Sequence, residues 1–578
     1  MRVFIFILVI IPGIIAIEPY NKIANYLKEY IKNGVHQEGL TQAVNELKHL
    51  NNATFRSEQI CNTCRYVIDG VIKFQRSGVS KEDMLKLIKY LCNTFSDHGP
   101  LMCNSMADME IDAMLFMINN RKNLTADRVC SIYLQNHLCV DPDEYDWVID
   151  LPTEPNKKDS VNINDKKPFK ILHLTDIHVD PDYKPGSDAD CGKPLCCQSG
   201  VGNNSETTAG FWGDYHVCDM PWHSVSDLLQ HVTTQHSDVK YVYFTGDIIA
   251  HTWKTTKESN TKVIQQLSRE FKKYFKSTKV FPILGNHEAH PCDYYAPLNV
   301  SLESVSTQWL FDMVSSEWSE WLPESAQETL KIGGYYTVLV EPGFRIIALN
   351  SNVCYIYNLW LVHNDYDQYS QLKWLVETLT EAEKKGEFVH ILSHIPPGGI
   401  ECWKIWLKNF NRIIRRFSKN VRAQFNGHTH LDEIRIFLDE TKSQAVNVAY
   451  NGGSFTTFIG NNPNYRVYDI SPENDVIDYQ EYIYNLTEAN RNPNSPPNWF
   501  KLYSFKEAYG LKSTNLSDLY DLTLRMKKDP EKLLLKQYYK FYTRESDVKM
   551  TEPCNSKCLD NLMCSITGVD FKDSVKCQ

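Results

Sequence analysis

Beyond its first sixteen residues the chain has no apolar run approaching the roughly 20 residues that a bilayer-spanning helix needs, so a later membrane span is excluded. It also lacks any basic tract longer than a few residues. With a formal net charge of −10, a nucleic-acid binder built on phosphate neutralisation is excluded too. There is no internal repeat, which excludes solenoid architectures, and no low-complexity tract. What remains is a globular composition, 42% hydrophobic and 23% charged, over 578 residues. That is too much chain for one core, so two to four domains are expected.

The first residues, "MRVFIFILVIIPGIIAIEPY", place Arg2 ahead of a short apolar run that ends at Ala16. This is the layout of a secretory signal peptide, residues 1–16, and the run is too short for a retained anchor. Seventeen cysteines, many at short spacings, agree with an oxidising compartment. Asn-x-Ser/Thr sequons stand at Asn52, Asn123, Asn203, Asn299, Asn485 and Asn515, the expected glycosylation sites. Residence is therefore expected to be secreted and/or lysosomal.

After a helical segment at 17–56, residues 57–140 form a block with cysteines at 61, 64, 92, 103, 130 and 139. Met84, Leu87, Ile88 and Leu91 share one helical face, as do Ile111, Met114, Leu115 and Ile118. So small a helical unit has a thin core, and disulfides are the expected reinforcement. Six cysteines allow 15 pairings, among which spacing alone does not choose. Nine Lys/Arg face nine Asp/Glu between 57 and 139, so the block turns cationic as carboxylates protonate. Residues 141–168 are polar and Pro-punctuated and read as a linker.

From 169 to 494 the texture becomes short β-rich runs alternating with helical stretches, the pattern of a layered α/β domain. Residues 495–578 read as a helical domain, with "NWFKLYSFKEAYGL" and "DLTLRMKKDPEKLLLKQYYKFY" at helical spacing and cysteines at 554, 558, 564 and 577.

The chemistry lies where the β runs stop. "LTDIHVD" offers Asp176 and His178, and "FTGDIIAH" offers Asp247 and His251. "LGNHE" offers Asn286 and His287, "LSHIPPGG" His394, and "NGHTH" His428 and His430. Loops at one edge of a sheet converge, and residues i and i+2 at a strand end point the same way. Carboxylate and imidazole donors without cysteine suit a catalytic zinc, manganese or iron site. Asp247, in a Gly-Asp turn, is the natural carboxylate to bridge two ions, and glycines 246, 285 and 427 permit sharp turns beside the ligands. Two such ions hold an acidified hydroxide for in-line attack on phosphorus, and an alkoxide leaving group then needs a proton. His287 and His251 are the histidines left over for that task.

The ordered set D-x-H, G-D, G-N-H-E, H and G-H-x-H resembles the calcineurin-like metallophosphoesterases. The cysteine pattern of 57–140 resembles a saposin-B domain. With "TDIHVDPDY", "CCQSG" and "WGDYHVCD", the whole is similar to the acid sphingomyelinase family. The resemblance implies a multidomain fold: a small all-α disulfide-stapled saposin domain, a β-sandwich flanked by helices, and a helical C-terminal subdomain. It implies two Zn2+ ions, one held by Asp176, His178, Asp247 and His430, the other by Asp247, Asn286, His394 and His428. It implies His287, with His251, as general acid, and Tyr465, in "NNPNYRVYDI", facing the substrate head group.

The disulfides it implies are Cys61–Cys139, Cys64–Cys130, Cys92–Cys103, Cys191–Cys196, Cys197–Cys218, Cys354–Cys402, Cys554–Cys558 and Cys564–Cys577. Cys292 is left over. The expected activity is hydrolysis of sphingomyelin to ceramide and phosphocholine, with the saposin domain binding membrane or lipoprotein surfaces and presenting the lipid. Soluble nucleotides or other phosphodiesters are the alternative substrates. A lipid-transfer protein with an inactive catalytic domain is the alternative of another class. No nucleic-acid partner is expected.

Overall fold

The computed structural model describes Tyr26, Glu29, Gly39 and residues 57–577, apart from 96–98, 156–165, 203–206, 301 and 365. The signal segment, and Asn52 and Asn203, lie outside the described residues. The described chain forms two compact units. One takes in the described residues up to Trp147 with Asp293–Ser306 and Cys354–Tyr366; the other holds those of Val148–Cys292, Thr307–Val353 and Asp367–Gln578. No described helix is long and apolar enough to cross a membrane.

The first unit is built on α1 (Ser57–Arg76), α2 (Lys81–Phe95), α3 (Gly99–Asn120) and α4 (Ala126–Tyr133). Their apolar faces close over Ile68, Leu87, Ile88, Met114 and Val129, all buried. Cys61–Cys139, Cys64–Cys130 and Cys92–Cys103 are bonded, the first two closing loops of 78 and 66 residues. A crosslink across so long a loop stabilises by several kcal/mol in the chain-entropy model, which offsets a thin core. The 354–366 segment belongs to this unit because Arg128 donates to the carbonyls of Leu361 and Asn364, and Phe116 packs edge-on against Trp360.

The second unit holds two six-stranded mixed sheets. One has the order β12-β11-β10-β1-β2-β3, with β1 (Phe169–Leu174), β2 (Val239–Phe244), β3 (Lys279–Pro282), β10 (Asn464–Ile470), β11 (Val476–Ile483) and β12 (Phe500–Ser504). The other has the order β4-β5-β6-β7-β9-β8, with β4 (Tyr336–Glu341), β5 (Phe344–Leu349), β6 (Phe388–Ser393), β7 (Val421–Asn426), β8 (Glu433–Leu438) and β9 (Ala445–Asn451). β1, β2 and β3 run parallel, as do β5, β6, β7 and β9. Helices flank them, among them α5 (Trp222–Gln235), α6 (Lys257–Tyr274), α7 (Gln308–Glu317), α8 (Glu324–Gly333), α9 (Gln371–Lys384) and α10 (Lys404–Arg416). Parallel strands covered on both faces need continuous apolar sequence, and "ILHL", "YVYF" and "VHIL" supply it.

Two sequence readings change here. "FKLYS" within 495–509 is not helical: it forms β12, antiparallel to β11, so the first sheet extends past residue 494. Tyr503 points inward, its hydroxyl bonded to Asp432, while Phe500 stays exposed. The expected helical character begins at the short helix Phe505–Tyr509, and α11 (Leu516–Lys528), α12 (Leu533–Tyr542) and α13 (Ser556–Thr567) follow, with Cys554–Cys558 and Cys564–Cys577 bonded. Part of the expected linker is also bound in place. Ile149 N–H donates to Asn409, and Arg412 and Arg416 of α10 donate to the carbonyls of Ile149 and Pro152.

Candidate metal centre

The C-terminal ends of β1, β2, β3, β6 and β7 deliver Asp176/His178, Asp247, Asn286, His394 and His428/His430 to one place. The backbone there is strained. Asp176, His178, Asp247, His428 and His430 have φ of 49°, 42°, 60°, 75° and 60°, the left-handed region that side chains avoid. Each such residue costs about 1–3 kcal/mol and persists only where its surroundings enforce it. Gly246 (φ 93°) is the one of the three neighbouring glycines that turns through this region. Gly285 and Gly427 serve by close approach instead: a Cβ on Gly285 would lie 2.1 Å from Asp247 Oδ1, and one on Gly427 2.1 Å from Thr175 Oγ1.

Two groups of donor atoms share Asp247. Asp176, His178, Asp247 and His430 present atoms within 4.8 Å of one another, and so do Asp247, His394 and His428. Asp247 Oδ2 lies 3.4 Å from His178 Nε2 and 3.2 Å from His394 Nε2. His430 Nε2 is 3.1 Å from His178 Nε2. Asn286 Oδ1 stands between His394 Nε2 at 2.9 Å and His428 Nδ1 at 3.0 Å. The far ring nitrogens are anchored. Nδ1 of His178, His394 and His430 each lies 2.7 Å from a carbonyl, of Ile249, Thr245 and Phe458. A carbonyl only accepts, so each Nδ1 carries a proton, which leaves Nε2 as the atom that would ligate a metal. His428 is held the other way round, with Nε2 3.2 Å from Glu401.

Electrostatics point the same way. Burial disfavours charge on His178, yet the hydrogen bond and charge of Asp247, with Asp219 and Asp176, outweigh it and lift its pKa to about 9. His394 is likewise raised to about 9 against burial, chiefly by Asp247. Burial, with the neighbouring His178 and His251, pushes His430 down to about 3 despite Asp176. The cluster's carboxylates thus demand positive charge at their centre, and divalent cations answer that demand.

His251 and His287 stand beside this centre, their rings 4.1 and 4.8 Å from that of His178 and 4.5 Å from each other. The buried Asp219 accepts the His251 backbone N–H at 2.6 Å and faces His251 Nδ1 at 3.0 Å, while Thr456 donates to the same carboxylate. Phe458 stacks on His251 with centroids 3.9 Å apart and planes at 6°.

Several supporting residues escaped the sequence reading, although the motifs of two of them were in view. Glu288, the last residue of "GNHE", is fully buried and accepts the backbone N–H groups of Asp247, Ile248 and Gly285. Asp219 closes "WGDYHVCD". Arg544 had no local signal at all; its buried guanidinium donates to the carbonyls of His430 and Asn462 and to Ser454.

Tyr465 is buried within the sheet. It lies on β10, 1% exposed, with its hydroxyl 3.0 Å from both His231 and His236 and its ring stacked on Tyr482. A tyrosine so enclosed supports the sheet and α5. Cys191–Cys196 and Cys197–Cys218 are bonded, and Cys354 and Cys402 are both in disulfides. Cys292 is in no disulfide, and its Sγ lies 3.7 Å from the Asn286 carbonyl.

Residues 169–432 match the calcineurin-like phosphoesterase family, and 446–578 match the acid sphingomyelin phosphodiesterase C-terminal region. Sphingomyelin phosphodiesterase of Homo sapiens is 37% identical over 82% of this chain and 76% of its own length. That of Bos taurus is 35% identical over 87% and 81%. The chain belongs to the sphingomyelin phosphodiesterase family. It is a phosphodiesterase hydrolase, and its metallophosphoesterase domain implies divalent metal ions at the buried His/Asp cluster. Cyclic GMP-AMP phosphodiesterase SMPDL3A of Rattus norvegicus is 28% identical over 71% of this chain and 91% of its own.

Proposed function

We propose that this family member is a di-zinc enzyme that hydrolyses sphingomyelin to ceramide and phosphocholine at the cluster centred on Asp247. The observation that carries the reading is the pair of donor groups sharing one carboxylate. Asp176, His178, Asp247 and His430 would hold one ion, and Asp247, Asn286, His394 and His428 the other. The ions, when bound, supply an acidified water and neutralise phosphoryl oxygens. The chain's own residues do the rest. Asp219 holds His251, and through it Nε2, in a fixed orientation toward the cluster. His287, anchored by its backbone N–H on Asp247 Oδ1 at 2.9 Å, is the first candidate to protonate the leaving alkoxide, with His251 beside it.

The first unit, with its long-loop disulfides, is the candidate for lifting lipid from a membrane or lipoprotein surface. Secretion or lysosomal residence, with glycans on the exposed Asn123, Asn299 and Asn515 and the half-buried Asn485, accords with eight oxidised pairs of cysteines. Soluble nucleotides are the second reading, supported by the relative named for cyclic GMP-AMP. It ranks lower because the relatives named for sphingomyelin match 82% and 87% of the chain against 71%.

Purified protein given sphingomyelin liposomes and a nucleotide in parallel, with and without chelator, separates the readings. Chelator-sensitive lipid turnover is expected; turnover of nucleotide alone overturns the first reading. Absence of any turnover after zinc is restored favours an inactive lipid carrier. His428→Ala is expected to lose metal and activity together, and His287→Ala to keep metal and lose turnover.

A further inference from the structure

The four histidines assigned to the two ions are not held alike. His178, His394 and His430 each lean through Nδ1 on a backbone carbonyl, so the main chain fixes their rings. His428 is turned end for end: Nδ1 faces Asn286 Oδ1 at 3.0 Å, and Nε2 lies 3.2 Å from Glu401 Oε2. Its outer nitrogen is therefore met by a side chain, delivered by the loop 394–402. That loop is tied down along its length. Ile395 N–H donates to Ser351 Oγ, Arg435 Nη1 to the Pro397 carbonyl, and Gly399 N–H to Ser574 Oγ. A Cβ on Gly398 would lie 2.9 Å from the Gly568 carbonyl oxygen, so the C-terminal segment sits directly against the turn. Buried Cys402, itself in a disulfide, follows Glu401.

We propose that Glu401 is the positioning residue of the second ion: it accepts the Nε2 proton of His428, aims Nδ1 into the cluster and sets that ion's affinity apart from the first's. The inference rests on the two-ion reading above. A carboxylate accepts, so His428 carries its proton on Nε2 and leaves Nδ1 to ligate. Nδ1 and Asn286 Oδ1 then face each other as two lone pairs, which a shared cation satisfies. His428 groups with Asp247 and His394, and not with Asp176, His178 and His430, so a loosened ring weakens one ion. The Glu401 side chain is 45% exposed against 9% for His428. So wet a contact adds little stability, and its worth lies in orientation. Removing the outer partner of a ligating histidine typically costs roughly 10–100-fold in metal affinity.

Full-length, zinc-loaded enzyme and its Glu401→Ala and Glu401→Gln variants are challenged with chelators of graded strength, and the zinc retained per chain is measured. Wild type is expected to release two ions in two steps. Glu401→Ala is expected to weaken one step by roughly 10–100-fold and to leave the other within about threefold. Glu401→Gln, whose amide oxygen still accepts the Nε2 proton, is expected to fall between wild type and Glu401→Ala. Turnover of bis(p-nitrophenyl) phosphate by Glu401→Ala should return to within about threefold of wild type when excess zinc refills the site by mass action. Both steps unchanged, both shifted equally, or a Glu401→Gln variant no better than Glu401→Ala overturns the proposal. So does a loss of turnover that persists at full loading, which would assign Glu401 to the substrate. A wild type that holds fewer than two ions per chain overturns the two-ion reading itself, and this inference with it. Should Glu401→Ala fold poorly, Glu401→Leu, which keeps the bulk and accepts nothing, is read by the same two steps.

Discussion

Gly427→Ala adds one methyl group at the centre of the site and nothing elsewhere. The new Cβ would stand 2.1 Å from Thr175 Oγ1 and 2.4 Å from Asp176 Oδ2, where ordinary contact begins at 3.4 Å. Thr175 can rotate away, but Asp176 cannot yield cheaply. Its carboxylate accepts the His428 N–H on both oxygens, at 2.9 and 3.0 Å, so the chain that carries the clash also holds the ligand in place. The carboxylate and the His428 turn must therefore part by about 1 Å, a misplacement that costs roughly a hundredfold in rate. Overpacking adds about 1–3 kcal/mol of lost stability. Metal analysis after dialysis, turnover of bis(p-nitrophenyl) phosphate and a thermal melt give the three readouts. A variant that retains two ions per chain and turns over within about threefold of the parent would refute the close-approach reasoning.

Asp219→Asn replaces the carboxylate that orients His251; kcat is expected to fall by roughly 10²-fold or more with metal content unchanged. Glu288→Gln turns an amide N–H₂ toward backbone donors that the carboxylate now accepts, so metal affinity measured by chelator competition should drop by roughly 10–100-fold. His390, buried between the Tyr243 hydroxyl and the Asn474 carbonyl, is pushed down to about 4, first by burial and also by Arg422. The unfolded chain therefore binds the extra proton below about pH 6.5, and stability falls as pH drops toward 4, by about 3 kcal/mol in full and about 2 kcal/mol at pH 5. Denaturant unfolding of wild type and His390→Gln across that range should show their stability difference shrinking by this amount. A difference that stays constant contradicts the assignment.

The elements most legible in the sequence were those whose signal is local. Apolar runs that end in Asp, Asn or His marked the parallel strands, because a strand buried on both faces cannot hide its composition. The three bridges of the first unit followed from cysteine pattern and resemblance together. What stayed hidden depended on distant partners. "FKLYS" read as helix because the apolar spacing of five residues is ambiguous; pairing with β11 decided it. Tyr465 attracted a substrate role by motif, yet its hydroxyl is claimed by two histidines, one on α5 and one just beyond it, more than 200 residues earlier in the chain. Gly285 and Gly427 were rightly singled out for the wrong physical reason. A sequence shows that a side chain is missing, and only the fold shows which neighbour occupies its space.

The same distinction explains how a strained site is maintained. Five candidate ligands sit at positive φ, so the turns alone would relax. Their restraint comes from buried groups that touch no substrate: Glu288 fastens the Gly285 and Asp247 turns to each other, and Arg544 grips the carbonyl of His430. Asp432, two residues past His430, is bound by Arg466 of β10 and Tyr503 of β12. His430 is thus held by a residue 114 positions later, and Asp432 beside it by residues 34 and 71 positions later. The region after β9 is therefore part of the metal centre's construction, and the catalytic chemistry at β7 is inseparable from the sheet edge and helices that close behind it.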